Sequence, residues 1–171
     1  MSAPLTSCLA LLVLLPGCLG AEDAAPPDAA VAPPEPEVVR IALQRTACYG
    51  RCPVYRVEVD AAGEVVYSGE RHVATVGEAR GSVGADVVAA LADAFAEADF
   101  ASLPDSLTWD ADVCQPAATD HPSVVTTLET ALGTKTVHHD HGCRRSARLD
   151  SLRELERRID LALNTARWVE R

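Results

Sequence analysis

Alternation of apolar and polar residues predicts three strands in the first part of the folded region. The alternation runs over residues 39–44, 55–60 and 64–69. A period of two residues sends successive side chains to opposite faces of a sheet. The four-residue turn Asp60-Ala61-Ala62-Gly63 suits a hairpin, so we expect neighbouring strands to pair antiparallel.

Apolar residues at three- and four-residue spacing predict two helices. Val87, Leu91 and Phe95 mark the first helix, with Ser82 as its expected N-cap. The second is a long C-terminal helix with one apolar and one charged side. Its apolar positions are Leu149, Leu152, Leu155, Ile159, Leu163 and Ala166. Its charged positions are Glu154, Arg157, Arg158 and Asp160.

Two further strands are predicted between the helices, over residues 123–130 and 135–141. Glycines 77, 81 and 84 indicate a loop after the third strand, and residues 105–119 indicate a long loop. The order of elements is therefore β-β-β-α-β-β-α. This order predicts an α+β fold, a two-layer sandwich in which two helices cover one face of an antiparallel sheet of about five strands.

Residues 1–17 have the features of a lipoprotein signal peptide. Residues 9–15 form an apolar core that is too short to span a bilayer as a helix. The following Leu15-Pro16-Gly17-Cys18 resembles the lipobox of bacterial lipoproteins, in which the leader is cut before a cysteine that becomes lipidated. On this resemblance Cys18 is the lipidation site. The alternative is ordinary cleavage after Gly20 or Ala21, which would release a soluble protein.

Residues 18–37 are predicted to comprise the lipidated cysteine and a disordered linker. The segment is rich in proline, alanine and acidic residues and contains no aromatic residue. Such a composition cannot bury enough apolar surface to fold, so it is expected to act as an extended spacer. Residues 38–171 then form a single domain. Leu19, rather than aspartate, follows Cys18, which by resemblance is compatible with outer-membrane sorting.

The charge of the chain narrows its partners. The formal net charge is -10, which argues against nucleic acid as a partner because its phosphates would be repelled.

The expected location of the protein is the bacterial cell envelope, where it would be lipid-anchored in the outer membrane and face the periplasm or the cell surface. The expected partners are the membrane, through the lipid, and an envelope protein or cell-wall component. The oligomeric state is left open.

Two cysteines frame a turn after the first strand, in the stretch Cys48-Tyr49-Gly50-Arg51-Cys52-Pro53-Val54-Tyr55. This stretch resembles, over its full length, the C-Y-G-x-C-P-x-Y motif of a bacterial family of secreted and lipoprotein domains of unknown function. The resemblance covers about residues 39–168. It implies an exported α+β domain and assigns no activity to it.

Four cysteines remain in the folded region, which suggests a disulfide framework in an exported protein. We favour the pairs Cys48–Cys52 and Cys114–Cys143, and the two other connectivities stay open. The first pair would staple a tight turn that Gly50 relieves. The alternative is a thiol-redox or copper site, which is weakened because Pro53 leads into a strand rather than a helix N-terminus.

The histidine-rich end of the last strand is the other candidate for chemistry. His139 and His141 fall on one face of the strand, where they could chelate Zn or Cu with His121 or Asp120 across the hairpin. The competing interpretation is a solvated strand end that binds no cofactor.

No nucleophile elbow, phosphate loop or H-E-x-x-H motif is present in the sequence. The sequence therefore favours a non-catalytic binding or structural lipoprotein of the cell envelope. The alternative is a thiol-redox or Zn/Cu-handling lipoprotein that uses Cys48 and Cys52 or His139 and His141.

Overall fold

The computed structural model describes residues 37–143 and 146–170. The expected signal peptide of residues 1–17 and the lipidation site Cys18 lie outside these residues, as does the linker except for Glu37. None of the helices in the described ranges has both the length and the hydropathy needed to span a bilayer.

Strands and three helices make up the described part of the chain. The strands are β1 Val38–Arg45, β2 Val54–Asp60, β3 Glu64–Arg71, β4 Gly77–Ser82, β5 Ser106–Leu107, β6 Ser123–Thr130 and β7 Gly133–Asp140. The helices are α1 Ala85–Glu97, α2 Ala147–Ala162 and α3 Ala166–Val169, with short 3-10 turns at Phe100–Ser102 and Asp112–Cys114.

The strands form one sheet in the order β4-β3-β2-β1-β6-β7-β5. Neighbours pair antiparallel, except that β5 runs parallel to β7. The predicted fold is therefore wrong. Instead of a five-stranded antiparallel sheet with two helices, residues 37–143 and 146–170 hold a mixed sheet of seven strands and three helices.

Strand β4 was expected to be a loop. Its sequence Gly-Glu-Ala-Arg-Gly-Ser has no apolar alternation, because it is an edge strand whose residues are exposed or half-buried. Pairing with β3 holds it in place, over the register Glu64↔Ser82 to Gly69↔Gly77. Ser82 is thus the last residue of β4, and the predicted N-cap is wrong: Gly84 occupies that position at the start of α1.

The turn between β2 and β3 requires its glycine. Gly63 has a φ of 84°, a conformation that L side chains rarely adopt. A β-carbon at this position would also collide with the carbonyl group of Val83, which follows β4. The backbone N–H of Val83 in turn donates to the Gly63 carbonyl at 2.9 Å, which ties the hairpin to the start of α1.

Strand β5 is too short to show a periodicity. Its two residues pair with His138 and His139 of β7, and Leu107 is buried in the core. The chain just before it is also held to β7, because the N–H of His138 donates to the Asp105 carbonyl at 2.8 Å. Contacts with a strand some thirty residues away in the chain create this element, so the local sequence pattern does not predict it.

The expected long C-terminal helix is two helices. Helix α2 ends at Ala162, and Asn164 then adopts a left-handed φ of 50° that turns the chain. Helix α3 follows and places Trp168 against Tyr67 of β3, with ring centroids 4.9 Å apart. The turn therefore serves to bring the second tryptophan onto the sheet.

The hydrophobic core lies between one face of the sheet and the helices. The sheet contributes mainly Ile41, Leu43, Val57, Val59, Val65, Tyr67, Val124 and Val137. The helices contribute mainly Leu91, Phe95, Leu149, Leu152, Leu155 and Ile159. The other face is polar: Arg40 pairs there with Glu129 at 2.8 Å and with Glu58 at 3.1 Å.

The two ends of the sheet differ in their connections. At one end the turns are short, at residues 61–63 and 131–132. The connections at the other end are longer and include residues 46–53, 72–76, 108–122 and 141–143, which we call the loop end. Both disulfides, Cys48–Cys52 and Cys114–Cys143, lie in it.

Candidate functional site

Helix α2 places two carboxylates against the sheet. Glu156 and Asp160 are four residues apart and therefore lie on the same side of the helix. Glu156 is wholly buried, and the side chain of Asp160 is 18% exposed. Each carboxylate meets a different set of partners on the sheet.

A row of side chains across the sheet supplies most of these partners. Tyr55 of β2 lies opposite Arg45 of β1, Arg45 lies opposite Val124 of β6, and Val124 lies opposite His139 of β7. Residues that are opposite each other in a sheet point to the same face. Asp160 contacts the Tyr55 and Arg45 end of this row, and Glu156 contacts the His139 end.

The Asp160 cluster consists of Arg45, Tyr55, Asp160 and Thr165. The guanidinium of Arg45 binds Asp160 Oδ2 through Nη2 at 2.6 Å and Nε at 2.8 Å. The Tyr55 hydroxyl donates to Asp160 Oδ1 at 2.6 Å, and the Thr165 hydroxyl donates to the same oxygen at 2.9 Å. The carboxylate is thus held by one permanent cation and two hydroxyl groups.

Electrostatics in the Asp160 cluster favour a neutral tyrosine beside an ion pair. Burial, together with the negative charge of Asp160, raises the pKa of Tyr55 far above its usual value. Burial opposes the charge of Arg45, but Asp160, Tyr55 and Glu156 together outweigh burial, and the pKa of Arg45 is raised. The cluster borders a depression of about 260 Å³ that Leu161 and Asn164 also line.

The Glu156 cluster consists of His139, His141 and Glu156. Its two hydrogen bonds join His139 Nδ1 to Glu156 Oε1 at 2.7 Å and His141 Nε2 to Glu156 Oε2 at 2.6 Å. His139 is as buried as Glu156, while the His141 side chain is 23% exposed. One carboxylate therefore bridges an inner and an outer imidazole.

Glu156 is held in its ionised form. Burial disfavours the charge, but the hydrogen bonds and the electrostatic attraction of His139 and His141 together outweigh burial and lower the pKa of Glu156. A carboxylate accepts hydrogen bonds, so the proton of each contact sits on the imidazole nitrogen. The other nitrogen of His139, Nε2, is buried and has no hydrogen-bond partner among the described residues.

The segment that carries His141 is fixed at several points. The N–H of His141 donates to the Pro122 carbonyl at 3.0 Å. Arg153 of α2 donates from Nη2 to the carbonyls of His141 at 3.1 Å and Cys143 at 3.2 Å. The disulfide to Cys114 then anchors Cys143. The outer imidazole of the cluster is therefore well supported although it reaches solvent.

The structure pairs the four cysteines in the way that we favoured from the sequence. Cys48 is bonded to Cys52 with a Cα–Cα distance of 5.7 Å, and Cys114 is bonded to Cys143 with 4.4 Å. Gly50 lies within the smaller loop, whose residue Tyr49 is 90% exposed.

Of the remaining motif residues, Pro53 leads directly into β2, and Tyr55 is the hydroxyl donor of the Asp160 cluster.

The histidines are divided differently from the sequence-based set. His139 and His141 lie together, as expected from their spacing. His121 is exposed and lies outside the group. Among the described residues, the group that brings potential metal ligands within 4.8 Å of one another is His139, His141 and Glu156.

Sequence reasoning missed both acids of α2. Asp160 was expected on the charged outer side of the helix, which is wrong because it binds Arg45 and Tyr55. Glu156 was not singled out at all. A signal for it was present: Glu156 lies at helical spacing between Leu152 and Ile159, within the apolar stripe. A carboxylate in such a stripe must be buried and needs a partner.

Comparison with known proteins gives a family but no activity. Residues 39–163 match the model of the family described as "Domain of unknown function (DUF6438)". No match is found among curated proteins. The matched span covers nearly all of the sheet, α1 and α2, and thus the Glu156 cluster and all of the Asp160 cluster except Thr165. Since it makes up well over half of the chain, the protein belongs to the DUF6438 family.

Proposed function

We propose that the protein is an exported, lipid-anchored domain of a bacterial cell envelope that binds a partner without catalysing a reaction. The leader-like residues 1–17 and the lipobox-like stretch before Cys18 support export and anchoring. The two disulfides support an oxidising compartment, since such bonds are rare in the cytosol. The C-Y-G-x-C-P-x-Y stretch supports a bacterial origin by resemblance.

The exposed aromatic side chains at the loop end are the observation that carries the binding role. Among the described residues, the exposed aromatic side chains are Tyr49 and Trp109, at 90% and 63%, and both lie at the loop end. Val113, in the same loop as Trp109, and Val76, in the loop of residues 72–76, add exposed apolar surface at the loop end. Exposed apolar and aromatic groups held on braced loops are typical of interaction surfaces.

The partner that best fits this surface is an envelope protein or a cell-wall component. The net charge of -10 disfavours nucleic acid. Tyrosine and tryptophan provide flat apolar area with a polar edge, which suits either partner. A hydrolytic or transfer activity would need a different kind of observation, a substrate cleft with a positioned acid or base.

Site-specific photo-crosslinking in the intact cell tests the binding surface. A photoreactive residue at Trp109 is expected to capture a partner, whereas one at Leu132, which is exposed at the opposite end of the sheet, is not. The single change Tyr49→Ala should weaken capture at position 109. Capture at position 132 equal to that at 109, or none at 109, would contradict the proposal.

The mass of the intact protein extracted from membranes tests its anchoring. We expect a chain that begins at Cys18, carries lipid and has two disulfides. Cys18→Ser should leave the protein unlipidated and released from the membrane. A wild-type protein cut after Gly20 or Ala21 and found in the soluble fraction would contradict the proposal.

A thiol-redox role for Cys48 and Cys52 receives less support. Reactive cysteines of this kind have a thiol pKa lowered by a helix N-terminus or a nearby cation. Here Cys52 and Pro53 lead into strand β2, so no helix begins at this pair. A disulfide that resists mild reductant in the folded protein is the expected result of a thiol count.

A further inference from the structure

The Glu156 cluster is unusual because it places a carboxylate at a buried position among apolar side chains. Glu156 occupies a position of α2 where the neighbouring inward residues are Leu152, Leu155 and Ile159. Burying a carboxylate is costly unless a charge or several hydrogen bonds compensate it. The two partners of Glu156 are imidazoles, which carry a lone pair when neutral and are among the commonest metal ligands. The set is therefore suited to a cation as well as to a proton.

We propose that His139, His141 and Glu156 form a binding site for a divalent transition-metal ion, with Zn²⁺ as the representative ion. Two imidazole nitrogens and one carboxylate oxygen are a donor set that Zn²⁺ and Cu²⁺ accept. The three donors lie within 4.8 Å of one another, on a strand end and a helix that are both fixed. This site goes beyond the proposed partner-binding role and is independent of it.

The distances define the movement that metal binding requires. The imidazole nitrogens are 2.7 Å and 2.6 Å from the Glu156 oxygens, which are hydrogen-bond distances. Ligands about 2.0–2.1 Å from a tetrahedral Zn²⁺ are about 3.3 Å apart. With one Glu156 oxygen as ligand, the contact between this oxygen and its imidazole must therefore lengthen by somewhat more than about half an ångström, and the other imidazole must turn from the second oxygen toward the ion. Side-chain rotation of Glu156 and of the partly exposed His141 can supply this without moving the backbone.

Protons must also be rearranged when the ion enters. A metal binds the lone pair of a neutral imidazole, so the nitrogen that faced Glu156 has to give up its proton. In His139 the proton can move to Nε2, which then becomes a buried donor without an acceptor among the described residues, a cost that the metal bond must outweigh. His141 reaches solvent and can exchange its proton directly.

The charges around the cluster permit a cation. Within residues 37–143 and 146–170, Arg45 and Arg153 are arginines that lie close to the cluster. Arg45 is paired with Asp160 at 2.6 Å, and Arg153 lies 3.6 Å from Asp150. Among the described residues, the direct hydrogen-bond partners of Glu156 are therefore His139 and His141. Water can complete the coordination from the side on which His141 is exposed.

Zinc affinity of the full-length protein tests the proposal. Competition with a chromophoric chelator is expected to show one bound Zn²⁺, and His141→Ala should weaken it about tenfold or more. His121→Ala and His138→Ala are the matched controls, because both side chains are exposed and lie outside the group. These two variants should bind Zn²⁺ as the wild type does.

A second readout separates lost ligands from lost structure. Co²⁺ bound at this site should give the visible absorption of a four-coordinate nitrogen–oxygen complex, and His141→Ala should abolish it while circular dichroism is unchanged. Because His141 is partly exposed, this variant is expected to fold. Failure of the wild type to bind one ion, or loss of binding in His121→Ala equal to that in His141→Ala, would overturn the proposal.

Discussion

Glu156 and Asp160 lie one turn apart on the same side of α2, yet the side chains that bind the two carboxylates belong to different chemical types. Asp160 receives the guanidinium of Arg45, which carries its charge at any physiological pH. Glu156 receives His139 and His141, whose charge depends on the surroundings. The charge pairing of Asp160 is permanent, while the protons between Glu156 and its two histidines can be replaced by a metal cation.

This difference separates a structural role from a ligand-binding role. The Asp160 cluster joins β1, β2, α2 and the turn before α3, so it locks the helix at one place on the sheet. The Glu156 cluster differs in that the partners of its carboxylate are imidazoles, which can offer a lone pair to a metal ion. Substitutions of the two acids should therefore affect stability and metal binding in opposite order.

The largest loss of stability is expected for Asp160→Asn. The substitution leaves Arg45 charged and mostly buried, so the free energy of unfolding should fall by about 3 kcal/mol, the lower end of the range for broken buried ion pairs. Urea denaturation measures it. The matched control is Glu154→Gln, on the outer side of the same helix, whose partners Arg157 and Arg158 are solvent-exposed. Equal effects of the two substitutions would show that the Asp160 cluster does not lock the helix.

A smaller loss is expected for Glu156→Gln. The amide removes the charge, but His139 and His141 can remain neutral, so the cost is that of impaired buried hydrogen bonds, about 2 kcal/mol. The same denaturation experiment compares it with Asp160→Asn. If Glu156→Gln proved the more destabilising of the two, the distinction between a structural role for Asp160 and a ligand-binding role for Glu156 would be contradicted.

Tyr55→Phe should cost about 1.5 kcal/mol, because it removes a hydroxyl donor to an ionised carboxylate and keeps the ring. Tyr67→Phe is a close control: the Tyr67 hydroxyl is also buried but has no hydrogen-bond partner in the described structure. Its removal should leave stability unchanged or slightly improved. A larger loss at position 67 than at position 55 would contradict the account of the Asp160 cluster.

The smallest expected effect is a pH dependence that Tyr55 creates. The folded protein raises the pKa of Tyr55, so its contribution to stability is complete below the tyrosine pKa of the unfolded chain, about 10. Stability should then fall as the pH rises above this value, because the unfolded chain loses a proton that the folded protein keeps. Unfolding free energies between about pH 8 and 11 should decline less steeply in Tyr55→Phe. Equal slopes would contradict the raised pKa.

Local pattern was sufficient for the elements that bury an alternating face. Strands β1 to β3 follow from period two, and β6 and β7 from strand-forming residues on either side of a turn. The alternation of side chains along a strand also places His139 and His141 on one side. Strand β4 and the two residues of β5 were not predicted, because pairing with neighbouring strands, rather than their own sequence, holds them in place.

The Asp160 and Glu156 clusters were not predicted from the sequence for a related reason. Arg45 and Asp160 are 115 positions apart in the chain, and His139 and Glu156 are 17 apart. A charged residue on an amphipathic helix is normally solvent-exposed, so Asp160 was assigned to the outer side. Only the register of β1, β2, β6 and β7 shows that Tyr55, Arg45 and His139 share one row under the helix.

The most direct test compares the zinc dissociation constants of the wild type, Glu156→Gln and Asp160→Asn at a temperature at which all three are folded. The account predicts that Asp160→Asn binds one Zn²⁺ as tightly as the wild type although it is the least stable of the three. It predicts that Glu156→Gln binds Zn²⁺ about tenfold more weakly or not at all. Equal zinc affinity in the wild type and Glu156→Gln, or loss of binding in Asp160→Asn alone, would contradict it.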